Sequence, residues 1–108
     1  MILAAIDIGS NAARLLINDV QQDKEDNVVF SQLNLVRVPL RLGFDVFEGN
    51  KIISREKMLM LVETMKSFRH LINAYKVEAF KACATSAMRE ASNAKEIIAL
   101  VQKESGIL

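Results

Sequence analysis

Cysteine is nearly absent from this 108-residue chain, proline occurs once, and neither sign of charge is in clear excess. A single cysteine, Cys83, excludes an internal disulfide and fits a reducing cytosol. It lies in the apolar stretch VEAFKACAT and reads as a core residue rather than a reactive thiol. No apolar run approaches the roughly 18 residues that a membrane span requires. Met1 to Ile6 has the look of a short signal segment, but it has no basic residues ahead of it and Asp7 interrupts it early. It reads instead as a core strand. Fourteen Lys and Arg against 13 Asp and Glu leave a formal net charge of +1, so bulk charge implies no DNA or membrane partner. No internal repeat or low-complexity segment occurs. The only histidine, His70, has no Cys or acid at metal-ligand spacing and reads as an exposed or half-buried helix residue.

The chain is 51% hydrophobic and 25% charged, enough for one small domain or part of a larger one. Ile2 to Ile8 is a continuous apolar run, as expected of a central strand buried on both faces. Leu15, Leu16, Ile17 and Val20 mark a second strand, and Val28 to Val38 a third. The polar patch Gln21 to Asn27 reads as an exposed connection between antiparallel strands. Pro39 argues against a strand running on through it. Leu40 to Asn50 contains Gly43 and Gly49 and reads as a loop. Ser54 is placed to cap a long helix, whose stripe is Met58, Val62, Met65, Phe68, Ile72 and Tyr75. Val77 to Thr85 follows as a buried strand, parallel to an earlier one. Ser86 is placed to cap a short helical turn. Asn93 with Glu96 resembles a capping pair for a last helix, which Gly106 ends. Ile107 and Leu108 read as the threshold of a further strand. The order β-β-β-α-β-α implies a mixed α/β sheet with helices packed on it.

Two constellations carry the chemistry. Asp7-Ile8-Gly9-Ser10-Asn11 ends the first strand in an acid and drops into a turn. A carboxylate there is able to hold a hard cation, and Ser10, Asn11 and the turn amides are able to donate to phosphate. The same string fits an Asp that bonds turn amides and ordinary turn chemistry equally well. Ala84-Thr85-Ser86-Ala87-Met88-Arg89-Glu90-Ala91-Ser92-Asn93 leaves a strand and opens a helix. Its hydroxyls, helix start and Arg89 suit an anion, whereas Ser86 as a plain cap and Arg89 as a surface residue explain it as simply. If the first and fourth strands are parallel, Asp7 and Thr85 share one sheet edge. Arg37 reads as solvated. Arg41, entering the loop beside the proposed site, is open between a solvated and a polyanion-lining role.

Taken together, AAIDIGSNAARLLI, VPLRLG, a long helix and ACATSAMREASNAKE resemble the N-terminal part of the exopolyphosphatase/guanosine pentaphosphate phosphohydrolase (Ppx/GppA) family. The resemblance covers nearly all of residues 1–108, read as the N-terminal part of the first actin-like phosphatase domain with the remainder absent. It implies a ribonuclease-H-like, actin-like ATPase fold with an incomplete first lobe. It also implies release of terminal phosphate from inorganic polyphosphate, guanosine pentaphosphate or both, with Mg²⁺. By the same resemblance, Asp7 matches the metal position, and Gly9, Ser10, Asn11, Thr85 and Arg89 match phosphate- or substrate-binding positions. A cytoplasmic location and a homodimer of the full-length protein follow from it as well. Ala12 stands where the family often has Ser. The family's general-base glutamate lies in a Gly-Glu-Glu-Ala-like segment expected after Leu108, so no catalytic residue is expected in this stretch; Glu90, Glu96 and Glu104 do not match that motif. Two other readings stand beside this one. One is a non-catalytic lobe that binds guanosine polyphosphates. The other is a sugar- or acetate-kinase-like member of the superfamily, for which Arg14 leaves room.

Overall fold

The computed structural model describes the whole chain, Met1–Leu108. Eight elements follow in order: β1 (Ile2–Ile8), β2 (Ala12–Gln22), β3 (Val28–Pro39), α1 (Leu42–Phe47), α2 (Arg55–Ala74), β4 (Ala79–Ala84), α3 (Ser86–Glu90) and α4 (Ala94–Ser105). They build one mixed sheet of order β3-β2-β1-β4. β1 pairs antiparallel with β2 and parallel with β4, and β2 pairs antiparallel with β3. The parallel pairing of β4 and the antiparallel β2–β3 hairpin agree with the sequence expectations. At the hairpin tip the Asp23 carboxylate accepts the Asn27 and Glu25 N–H groups at 2.9 Å each, and those two donors hold its carboxyl below the usual range.

The sheet is buried on one face only, which corrects the expectation of a central strand covered on both sides. Ala4, Ile6 and Ile8 of β1 are buried, and so are Ala13, Leu15 and Ile17 opposite them on β2. They pack beneath Leu61, Met65 and Phe68 of α2, with Ile97 and Val101 of α4 in the same core. Every helix lies on this side, so Ala5, Asp7, Arg14 and Leu16 point to the bare face. β4 likewise proves to be a half-exposed edge strand rather than a buried one. Cys83 alternates onto the bare face and is exposed, not core.

The long helix forms as its pattern predicts. The Ser54 hydroxyl accepts the Lys57 N–H at 3.2 Å and caps it. Met58, Val62, Met65, Phe68 and Ile72 are buried, while Tyr75 is half-buried and its hydroxyl accepts from the Asn34 amide at 3.2 Å. Gly106 ends α4 in the left-handed conformation, φ 72°. No helix is long and apolar enough to cross a membrane.

Three local expectations are corrected. Residues 40–50 are not all loop, because α1 forms within them on buried Leu42 and Val46, so the order gains a helix before α2. As expected, no strand runs on through Pro39, which ends β3; β3 is an edge strand, where a missing N–H costs no ladder bond. Asn93 stands at the N-cap of α4, but its side chain does not cap the helix. Its side chain accepts the Ile53 N–H at 3.1 Å and donates to the Ile53 carbonyl at 2.9 Å, tying α4 to the segment before α2. Ser86 is already helical, and Thr85 stands at the cap position without capping.

Candidate functional site

The bare face and the β1–β2 turn meet at one end of the sheet. The turn is closed by the Gly9 N–H donating to the Ala12 carbonyl at 2.9 Å. The Ser10 carbonyl accepts the Gly43 N–H at 2.8 Å, and the Asn11 carbonyl accepts the N–H groups of Leu40 and Arg41 at 3.0 and 2.9 Å. These bonds hold the turn's backbone from behind. The Ser10 hydroxyl and the Asn11 amide have no partner within the chain and are not buried, so both face solvent ready to bond. The turn is therefore rigidly held, with its polar side chains left free.

Cross-strand pairing places the charges. Asp7 lies opposite Arg14, and Arg14 opposite Arg37, so three charged groups form a row across β1, β2 and β3 on the bare face. The Asp7 Oδ2 accepts from Arg14 Nη2 at 3.2 Å, with Asp7 40% and Arg14 57% exposed. An exposed pair of this kind stabilises by about 0–1 kcal/mol, so Arg14 exchanges its partner at little cost. Two arginines in a row with a single carboxylate leave net positive charge, which suits an anion. Asp7, Gly9, Ser10, Asn11, Arg14 and Arg37 together line a cleft of about 270 Å³.

The second constellation is only partly brought in. The Thr85 N–H and hydroxyl donate to the Ile8 carbonyl at 3.0 and 3.3 Å, so Thr85 stands beside the turn at the shared edge, as the parallel pairing requires. Its hydroxyl is engaged by backbone. Arg89 is exposed on α3 one turn further on; it makes no ion pair and lines neither this cleft nor the one beside it. With five residues, α3 is too short to build a useful helix dipole, so the anion-attracting helix start falls away. Arg14 and Arg37 were not expected to line the site. Their signal was the hairpin register, which decides the parity of both positions and cannot be read without the ladder.

Arg41 lines the neighbouring cleft. It adopts a left-handed conformation, φ 54°, and its carbonyl accepts from Lys57 Nζ at 2.8 Å. Lys57 Nζ also meets Asp45 Oδ1 at 2.8 Å, and Asp45 Oδ2 accepts the Ser54 N–H at 2.8 Å, so Asp45 fastens α1 to the start of α2. Burial pushes the Asp45 carboxyl up, but the bonds from Lys57 and Ser54 outweigh it and hold it below the usual range. A lowered folded value adds stability above the ordinary carboxylate pKa of about 4 and loses it as pH falls further. Asp45→Asn is expected to destabilise by about 1–2 kcal/mol at pH 7 in urea denaturation. The gap to wild type should narrow below about pH 4. A gap that is constant down to pH 3 would show that the charge contributes nothing.

One donor set bears on a cation. Asp7 is the only carboxylate in its cleft, and no group of three or more His, Cys, Asp or Glu residues anywhere in the chain is arranged to hold a metal. A single carboxylate does not fit a closed zinc or calcium cage. It does fit Mg²⁺, which keeps several waters and takes further ligands from phosphate oxygens.

The sheet order β3-β2-β1-β4, antiparallel except for the parallel β1–β4 pair, is that of an α/β protein of the ribonuclease-H-like, actin-like ATPase fold. Comparison with solved structures shows the same fold: a Ppx/GppA family member from Aquifex aeolicus superposes with a TM-score of 0.88 at 31% identity, covering 100% of this chain and 33% of that one. The Ppx/GppA phosphatase family matches residues 20–108, and the chain belongs to that family. Among curated relatives, a bifunctional 3-dehydroquinate synthase/phosphatase of Fusobacterium nucleatum is 34% identical over 110 residues, covering 96% of this chain and 16% of its own length. Exopolyphosphatase 1 of Mycobacterium tuberculosis is 29% identical over 107 residues, covering 99% of this chain and 30% of its own. The chain thus spans less than a third of the curated relatives it matches.

Proposed function

We propose that this chain carries the phosphate- and cation-binding part of a Mg²⁺-dependent phosphohydrolase. Its substrates are inorganic polyphosphate, guanosine pentaphosphate or both. The observation that carries the reading is the Gly9–Asn11 turn, pinned from behind by α1 and the end of β3, with the Ser10 hydroxyl and Asn11 amide free beside Asp7, Arg14 and Arg37. Family membership supports it, as do exopolyphosphatase relatives.

Asp7 is the residue that would hold Mg²⁺, releasing Arg14 as it does so. Bound Mg²⁺ supplies neutralisation of phosphate charge. Ser10 and Asn11 donate to oxygens of the terminal phosphoryl group, and Arg14 and Arg37 meet the next phosphates along the chain. Arg89, free on α3, contacts the phosphate from the β4 side, and Thr85 fixes the turn against β4. The general base is a glutamate outside these residues, so the isolated 108-residue chain releases no phosphate. The full-length protein acts in the cytoplasm as a homodimer.

The test is phosphate release by the full-length protein from both substrates, with and without Mg²⁺. Arg89→Ala is expected to lower kcat/KM by about tenfold or more, the loss of a charge-assisted contact to phosphate. Unchanged kinetics would remove Arg89 from the site. Saturable binding of guanosine pentaphosphate with no hydrolysis of either substrate would favour a sensing lobe instead.

A further inference from the structure

β3 is an outer strand of the sheet, so one of its edges is unpaired. A free edge is a row of backbone N–H and C=O groups open to another strand, and soluble proteins usually guard it with Lys, Pro or an inward-pointing charge. From Val28 to Val36, β3 has no charged residue, no proline and no glycine. Its Val, Phe and Leu residues are types that fit a pleated, half-covered surface. Val28, Val29, Phe30, Leu33 and Leu35 are all exposed, Phe30 by 66% and Leu35 by 50%. The opposite edge strand, β4, offers far less: it has 6 residues against 12, and Lys81 stands at its middle.

The two ends of this apolar run carry opposite charge. Asp23, Lys24, Glu25 and Asp26 make the hairpin tip acidic, and Arg37 and Arg41 make the far end basic; all six are exposed. A second β3 laid alongside in the antiparallel sense brings each acidic tip towards the other copy's arginines. The parallel sense sets like charges side by side, which is unfavourable. The faces fix the register. Phe30 pairs with Val20 and Leu35 with Leu16, so the unpaired Leu33 between them leaves both on the bare face. Val29 and Val36, opposite Gln21 and Leu15, take the helix side. A twofold axis between Gln32 and Leu33 then sets Phe30 of one copy against Leu35 of the other, and Val29 against Val36, each pair on a single face.

We propose that β3 is the surface through which two copies of this protein pair, edge to edge and antiparallel, into one continuous sheet. The inference rests on the homodimer reading for its occupant and does not depend on the phosphohydrolase reading. Backbone hydrogen bonds across the joined edges supply the contact, and the Phe30–Leu35 pairs bury apolar surface on the bare face. The charged ends select the antiparallel register. They also make the pairing weaken as salt screens them.

Sedimentation equilibrium of the full-length protein tests this with two variants, Phe30→Lys and Glu25→Lys. Phe30→Lys puts an edge lysine where the second copy would dock, twice per dimer, and is expected to raise the dimer Kd at least about tenfold. Glu25→Lys reverses a charge at the tip and is expected to raise it about threefold or more at low salt, the difference from wild type shrinking at high salt. Glu25 is exposed on the tip and makes no side-chain bond there, so this variant decides the matter if Phe30→Lys fails to fold. A dimer of unchanged Kd in both variants would place the contact elsewhere and overturn the inference, leaving the homodimer reading intact. A lowered Tm with an unchanged dimer would mean that another part of the longer protein covers the edge, and would overturn it as well. A monomeric wild type would overturn the inference and the homodimer reading together, with the phosphohydrolase reading untouched.

Discussion

Asp7→Ala is expected to lower phosphate release by the full-length protein at least 100-fold, mostly in kcat. Asp7 is the one carboxylate in the cleft, so no neighbour replaces it as an anchor for a cation. A bound metal ion is worth several kcal/mol of transition-state charge stabilisation, so losing its anchor costs about 10²-fold or more in rate. A contribution through Arg14 alone would be far smaller, because their 3.2 Å pair is exposed and stabilises by about 0–1 kcal/mol. The size of the loss therefore separates the two roles. Asp7→Asn sharpens the comparison: it retains the shape and a hydrogen-bond acceptor while removing the charge. If the account is right, it should be nearly as impaired as Ala, and excess Mg²⁺ should restore little. A loss of only a few-fold in both variants would make Asp7 a turn-stabilising residue.

Phe68→Ala is expected to destabilise the fold by about 3–5 kcal/mol, read as a lowered urea midpoint with an unchanged slope. Phe68 is 1% exposed and among the largest fully buried side chains. It lies on α2 in the core that Ile6, Leu15, Met65 and Ile97 share. Sheet residues pack on one side of this core only, so α2 is the principal cover of the strands that end in the phosphate turn. A domain of this size has about 5–15 kcal/mol in total, so this one change removes a large share. A midpoint within about 0.5 M of wild type would mean that the helices collapse onto the sheet without the ring.

The parts of the fold that a reader of the sequence sees are those governed by local chemistry. The Ile2–Ile8 run, the polar hairpin around Asp23, the Ser54 cap with the stripe through Ile72, and Gly106 each declare themselves within a few neighbours. What stays hidden depends on contacts far along the chain. The six residues of α1 are too few to show a helical period, and its Gly43 looks like a loop residue because its packing on Ser10 is tertiary. Cys83 is apolar in context, yet it alternates onto the sheet face that no helix covers. Asn93 carries a capping signature but bonds to Ile53, forty positions earlier.

The site divides along the same line. Asp7, Gly9, Ser10 and Asn11 are contiguous, and they stand together in one cleft. Thr85 joins them through the parallel β1–β4 pairing, which a helix between two strands already suggests. Arg14 and Arg37 join through ladder register, which hairpin length and the irregularity between Ile17 and Asn18 set jointly. Arg89 matches a motif but stands apart from both clefts, so its part in the site is the claim most exposed to kinetics.

The central claim, that the Gly9–Asn11 turn beside Asp7 receives phosphate and a cation together, is tested most directly by crystallography. The full-length protein would be crystallised with a short inorganic polyphosphate and Mn²⁺ in place of Mg²⁺, and the metal located by its anomalous scattering. The account predicts Mn²⁺ bonded to an Asp7 carboxylate oxygen, Arg14 turned away to the polyphosphate, and terminal phosphate oxygens within hydrogen-bond reach of the Ser10 hydroxyl and Asn11 amide. Polyphosphate bound elsewhere, with the Asp7–Arg14 pair still closed, would contradict it.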